Sequence, residues 1–253
     1  MALMRTHYVS KLGPEMDGQE VTLAGWVHEV RDIGKIKFIQ LRDRTGIAQV
    51  TAKKGAVPDE TMAKMSLVKE SVVQVRGKVK AQAQARKGYE IIPEDVVDLN
   101  PVSAMIPFEV TGKVPAEIDV RLDNRCIDLR RLDTTAVFRI QAEALRAFRE
   151  TLAALDFEEI RPPCISAAAT EGGTDVFRLE YFEKHAFLVQ SPQLYKQLAV
   201  IGGMDRVFMT VPVFRAEKHN TTTHLNEILQ MDAEMGFCSI QAAQERSLGS
   251  QAP

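Results

Sequence analysis

The sequence predicts a two-part molecule, a small barrel of five β-strands followed by an α+β domain in which a long helix lies on an antiparallel sheet. Three observations predict it. Between Glu20 and Asn100, short stretches rich in β-branched residues alternate apolar with polar. The segment Asn100–Glu117 holds Pro101, Pro107, Gly112 and Pro115 and follows no clear period. From Thr135 onward, apolar residues recur at helical spacing.

The barrel strands are expected at Val21–Val30, Ile36–Leu41, Gly46–Ala52, Ser71–Lys80 and Tyr89–Leu99. Turn residues separate them at Asp32–Gly34, Arg44–Gly46 and Lys87–Gly88, and a helical stretch, Asp59–Lys69, falls between the third and fourth. Five strands with a helix after the third match an OB-fold; small barrels with other connections remain open at this stage. The domains are placed at 1–103 for the barrel, 104–134 for an ordered hinge and 135–253 for the second domain.

In the second domain, Thr135–Leu155 places Val137, Ile140, Ala144, Leu145, Phe148, Leu152 and Leu155 on one stripe, predicting an amphipathic helix with a core-facing side. A strand Phe157–Arg161 stopped by Pro162–Pro163, a loop with Gly172–Gly173, a strand Phe187–Gln190, a helix Pro192–Ile201 and strands Arg206–Phe214 and Leu225–Phe237 follow. Gln241–Pro253 offers little apolar surface, so the second domain reads as unfinished, with an open sheet edge.

Composition narrows the class. With 45% hydrophobic and 26% charged residues the chain is of globular type, which excludes disorder and collagen. No apolar run approaches the roughly 20 residues of a membrane helix, and Met1–Ser10 carries Arg5 and His7 where a signal peptide would be apolar, so a cytoplasmic protein without membrane contact is expected. Cys126, Cys164 and Cys238 have the spacing of neither a disulfide framework nor a zinc site. Net charge is −2, but it is uneven. Residues 1–112 hold 16 basic and 14 acidic side chains, and Val30–Lys54 alone has seven basic against two acidic, a patch suited to phosphates.

Charge crowds the strand ends around Phe214-Arg215-Ala216-Glu217. A guanidinium at a sheet centre needs an anion, and its planar fork suits a carboxylate or phosphate. Arg215 is therefore a candidate anion clamp; the alternative is a surface pair between Arg215 and Glu217.

Four separated strings make a resemblance specific: Phe157–Ile165 (FEEIRPPCI), Thr170–Phe177 (TEGGTDVF), Gln190–Gln197 (QSPQLYKQ) and Phe214–Phe237 (FRAEKHNTTTHLNEILQMDAEMGF). In this order they resemble class II aminoacyl-tRNA synthetases, above all aspartyl-tRNA synthetases of the archaeal and eukaryotic type. Arg5–Tyr8, Gly25–His28 and Arg121–Arg125 resemble the same family, so the likeness runs from near the start to about Phe237.

The resemblance implies an OB-fold barrel that binds the anticodon and a partial α+β class II catalytic domain. It implies ATP as substrate with Mg2+, L-aspartate and tRNA(Asp) as partners, and a homodimer. Pro163 closes the motif that braces the dimer interface. Glu171 faces the substrate ammonium, and Gln193 and Lys196 take the aspartate, with Lys196 neutralising its side-chain carboxylate. Arg215 bridges the amino acid carboxylate and the ATP α-phosphate, Glu217 lies against the adenine, and Thr223, His224 and Leu225 supply further ATP contacts. Many relatives have Arg where this chain has Thr223, which removes a cationic phosphate contact. On the barrel, Arg31, Phe38 and Gln49 match positions that meet the anticodon. His28 is the residue associated with acceptance of tRNA(Asn) as well as tRNA(Asp). The family's third motif, Gly-x-Gly-x-x-Arg, is not found after Phe237, so no metal ligands are expected in this chain and it reads as a fragment inactive alone.

Two rivals stand beside an aspartate–tRNA ligase. A non-catalytic tRNA-binding or dimerising module is favoured by Thr223 and the lack of the third motif. A synthetase for asparagine or lysine is disfavoured by the QSPQLYKQ string.

Overall fold

Apolar side chains at Val21, Leu23 and Val27, with Gly25 between them, alternate with outward residues along the first strand, β1 (Glu20–Asp32), and that alternation begins the barrel. The computed structural model describes residues 5–168, 176–218 and 224–238. After β1 come β2 (Ile36–Asp43), β3 (Gly46–Lys53), a short helix α1 (Asp59–Lys64), β4 (Val72–Ala81) and β5 (Tyr89–Asn100). The strands close in the order β1-β2-β3-β5-β4, with β3 and β5 parallel at Val50 and Ile91 and every other pair antiparallel. This is the OB-fold arrangement the spacing predicts. The predicted turns form as their residues require: Gly34 takes φ +78°, and its N–H donates to Asp32 Oδ1 at 2.8 Å.

The core of the barrel is the inward set Val21, Leu23, Val27, Ile39, Leu41, Val50, Val73, Val75 and Ile91, closed by Met65 beyond α1. Helix α1 ends at Lys64, earlier than Lys69, because Ser66 to Lys69 run on into the loop before β4. One irregularity matters for function: the pairing of β1 with β2 shifts between Val27 and Glu29, so His28 is an extra residue in a β-bulge.

The chain divides into two compact units, Met1–Arg131 and Leu132–Pro253, which groups residues 104–131 with the barrel. Two short helices, α2 (Ile118–Asp123) and α3 (Arg125–Asp128), lie in that segment. Asp128, fully buried, takes Arg121 Nε at 2.7 Å and the Arg125 guanidinium, a pairing that makes its burial tolerable.

The second unit opens with helix α4 (Leu132–Ala154), followed by β6 (Glu158–Glu159), β7 (Ile165–Ser166), β8 (Arg178–Tyr181), β9 (Lys184–Leu188), helix α5 (Gln193–Ala199), β10 (Arg206–Phe214) and β11 (Glu227–Met235). Two expectations are corrected. Among the described residues, instead of one antiparallel sheet there are two three-stranded sheets, β11-β10-β6 and β7-β9-β8, and β6 runs parallel to β10. β6 pairs over two residues, with the Ile160 N–H still donating to the Phe208 carbonyl at 2.9 Å; Pro162 and Pro163 have no N–H to carry that pairing further, and the chain re-enters pairing at Ile165 beside β9 instead. The apolar stripe of α4 is also only partly buried. Phe148 meets Phe208 edge-on at 5.7 Å, whereas Val137 and Ile140, in the first half of the helix, are 63% and 70% exposed. Short strands cover only the C-terminal part of a helix of 23 residues.

Candidate nucleic-acid interface and anion site

Strand pairing brings three of the predicted barrel residues together. Across β1, β2 and β3, Arg31 lies opposite Phe38 and Phe38 opposite Thr51, while in the adjacent row Glu29 lies opposite Gln40 and Gln40 opposite Gln49. No bulge interrupts β2 against β3, so Phe38 and Gln40 point away from the buried Ile39 and Leu41. Arg31, Phe38 and Gln49 line one concavity of about 240 Å3. Phe38 and Gln49 also border a larger one of about 530 Å3, together with Lys53, Lys80, Gln82 and Glu90. An aromatic side chain between two polar hollows, flanked by cations, is suited to stack a base and meet its edges.

Glu90 was not foreseen. The residue is 6% exposed, and its carboxylate accepts from Gln49 Nε2 at 3.4 Å, while the same amide donates to Thr51 Oγ1 at 3.2 Å. The period of two along Tyr89-Glu90-Ile91, with Tyr89 and Ile91 in the core, already turns Glu90 outward.

His28 does not join this face. The bulge turns it toward a different hollow, of about 290 Å3, with Lys69, Ile106, Phe108, Glu109 and Val110. There Arg42 Nη1 donates to His28 Nδ1 at 2.8 Å, and Arg42 Nη2 donates to Glu70 at 2.7 Å. Burial lowers the imidazole pKa below its usual value, and the positive charge of Arg42 lowers it further; the carboxylates of Glu70, Glu29 and Glu109 oppose the shift. Arg130 also reaches Glu70, at 3.2 Å, with its guanidinium 5.6 Å from the Trp26 ring centroid.

In the second unit, Gln193 starts α5 with its N–H donating to Ser191 Oγ at 3.3 Å, and Lys196 follows one turn later on the same side. Lys196 is 7% exposed, not solvated as helical lysines usually are. Its ammonium meets Asp232 at 2.7 Å and Glu234 at 3.3 Å. Burial alone would lower its pKa; the two carboxylates outweigh that and raise it. Asp232 and Glu234, with Gln230, share one face of β11 because they are two residues apart, a pattern visible in the sequence but not used there.

Arg215 lies just past β10, its N–H donating to the Asn226 carbonyl at 3.0 Å, and the Glu217 N–H donates to the Arg215 carbonyl at 2.8 Å. Arg215 is exposed and Glu217 half-buried, and no ion pair joins them among the described residues, so the surface pair set against the anion clamp is not formed. His224 and Leu225 are exposed at the start of the returning segment. Pro163 follows β6 as expected. Glu171 and Thr223 lie outside the described residues. Among the described residues no three His, Cys, Asp or Glu side chains gather as a metal requires, so the groups present do not by themselves fit Mg2+.

The fold and these sites define a class, and comparison with known proteins agrees. Residues 117–246 match the family model for class II tRNA synthetases (D, K and N), and residues 21–99 match that for the OB-fold nucleic acid binding domain. The chain belongs to the class II tRNA synthetases of the D, K and N group. It is 51% identical over 235 residues to the aspartate–tRNA(Asp/Asn) ligase of Methanococcus vannielii, covering 92% of this chain and 53% of that protein. With the aspartate–tRNA(Asp/Asn) ligase of Methanosarcina barkeri it shares 51% over 240 residues, 94% of this chain and 54% of the relative. The chain thus spans about half the length of these curated relatives. Among solved structures, asparaginyl-tRNA synthetase from Pyrococcus horikoshii complexed with asparaginyl-adenylate superposes with a TM-score of 0.88 at 34% identity, over 97% of this chain and 56% of that one. Aspartyl-tRNA synthetase from Entamoeba histolytica gives 0.79 at 28%, over 98% and 53%. No helix among the described residues is long and apolar enough to cross a membrane.

Proposed function

We propose that this chain carries the tRNA-binding barrel and part of the amino acid and ATP site of an aspartate–tRNA ligase acting on tRNA(Asp) and tRNA(Asn), a cytoplasmic homodimer. The observation that carries the reading is Lys196. An ammonium has three N–H donors, and Asp232 and Glu234 take two, leaving one for a further acceptor such as the aspartate side-chain carboxylate. Gln193, one turn away, and Glu171, for the substrate ammonium, complete the amino acid contacts in this reading.

The chemistry needs no protein nucleophile. An α-carboxylate oxygen of aspartate attacks the α-phosphorus of ATP, the bond to the bridging oxygen breaks, and pyrophosphate leaves. A terminal ribose hydroxyl of tRNA then attacks the aspartyl carbonyl, and AMP leaves. Arg215 holds the carboxylate and the α-phosphate together and offsets their charge, which is catalysis by positioning and electrostatics. Glu217 lies beside the adenine, and Thr223, His224 and Leu225 border the phosphates. On the barrel, Arg31, Phe38 and Gln49 meet the anticodon, while His28 acts on tRNA choice from the neighbouring hollow. Pro163 and the exposed Val137 and Ile140 of α4 form the dimer contact.

The test compares the chain with a chimera that continues from Phe237 into the C-terminal half of the Methanosarcina barkeri ligase. The chain alone is expected to bind tRNA weakly and to show no aspartate-dependent ATP–pyrophosphate exchange, and the chimera to charge both tRNAs. Exchange by the chain alone overturns the half-site reading. No charging by the chimera, with tRNA binding retained, moves the weight to a non-catalytic binding module.

A further inference from the structure

Glu70 gathers more partners than its own charge requires. It stands at φ +69°, a left-handed conformation that a residue with a side chain adopts at a cost, and its side chain is 4% exposed. Arg42 already neutralises it, Nη2 donating to Oε2 at 2.7 Å. Arg130 brings a second cation to the same oxygen: its Nη1 donates to Glu70 Oε2 at 3.2 Å and to the Glu70 carbonyl at 3.4 Å, while the guanidinium lies 5.6 Å from the Trp26 ring centroid. Charge balance does not call for it.

The same corner holds the other end of the segment after β5. The Glu70 N–H donates to the Val27 carbonyl at 2.7 Å and the Val27 N–H to the Ser71 carbonyl at 2.9 Å, which pins residues 70 and 71 to β1 at its bulge. Ser71, 1% exposed, accepts from the Val102 N–H through Oγ at 3.1 Å. Val102 opens the segment and Arg130 nearly closes it, since α4 starts at Leu132. Both ends of residues 102–130 thus fasten to one strained corner of the barrel.

Resting on the reading that this chain takes tRNA with both of its units, we infer that Arg130 is a positioning residue: it fixes where the chain leaves the barrel, so that an RNA held on the barrel face is presented to the second unit. A planar guanidinium stacked on an indole and bonded to a carboxylate is held in two directions at once. When one protein grips one RNA at two places, the second grip depends on effective concentration, which a fixed joint keeps high and a loose joint dilutes. Arg130 strengthens neither grip. It makes them coincide.

The experiment uses the full chain, a whole tRNA(Asp) transcript and the isolated anticodon stem-loop of that transcript, all at one salt concentration. The wild type is expected to bind the whole transcript more tightly than the stem-loop by about 10-fold or more. Arg130→Gln leaves the Arg42–Glu70 pair in place and should cut that advantage by about 5-fold, with stem-loop affinity changed by less than about 2-fold. A loss of barrel stability alone would weaken both RNAs alike. In hydrogen exchange, the amides of α3 and of Val102 should open faster in the variant while those of β1 to β5 keep their protection. An unchanged ratio of the two affinities in Arg130→Gln, unchanged exchange at α3 and Val102, or a wild type that binds both RNAs equally overturns the inference and leaves the RNA-binding face standing. Failure of the wild type to bind either RNA overturns both.

Discussion

Arg42 and Glu70 form an ion pair at 2.7 Å in which the side chains are 3% and 4% exposed, and Glu70 is shared with Arg130. One carboxylate thus balances two guanidinium groups, and Arg42 spends another N–H on a neutral His28.

That arrangement predicts an asymmetric mutational response. Glu70→Ala leaves a buried guanidinium without its anion and should destabilise the barrel by about 3–5 kcal/mol, read from urea unfolding followed at Trp26. The double variant Arg42→Met, Glu70→Leu should lose much less. Equal losses in the single and double variants would show that packing, not charge, dominates here.

His28 gives the barrel a pH dependence. Its folded pKa lies below the usual 6.5, so the unfolded chain binds the proton more readily. Its contribution is therefore fully present above the unfolded value and declines as pH falls through 6.5 toward the folded value. His28→Asn, which can still accept from Arg42 without titrating, should flatten the stability profile between pH 7.5 and pH 5. A wild-type curve that is already flat there would contradict the assignment.

Gly25 is demanded by packing. A Cβ added at this position would lie 2.2 Å from the Arg42 carbonyl oxygen, a backbone atom that cannot swing away. Gly25→Ala should cost about 1–3 kcal/mol, with the midpoint of thermal unfolding lowered accordingly. Retention of the wild-type midpoint would mean that β1 and β2 separate at little cost.

Lys196→Met should leave Asp232 and Glu234 facing each other without their cation. At pH 7 the second unit is expected to lose about 1.5–3 kcal/mol. Urea denaturation of Lys196→Met beside the triple variant Lys196→Met, Asp232→Asn, Glu234→Gln checks it; an equal loss in both would assign the effect to packing.

Much of this was legible in order along the chain. Alternation fixed the five barrel strands to within a few residues, because each buries one face and the period of two is unambiguous. Arg206–Phe214 was placed at its observed ends for the same reason. The α4 stripe misled, since periodicity reports which face is apolar and not whether anything covers it; Val137 and Ile140 remain exposed.

By itself, the sequence determined the barrel, the long helix, and the motif strings that carry Gln193, Lys196 and Arg215. Only the tertiary structure decided which residues meet. A bulge of one residue between Val27 and Glu29 turned His28 away from Phe38 and toward Arg42, while closure of the barrel set Glu90 against Gln49 across β3 and β5. Lys196 and its acids are 36 residues or more apart, and no local pattern joins them. Local periodicity encodes the face a side chain takes, whereas its partners depend on register and closure, which strands far apart in the chain settle together.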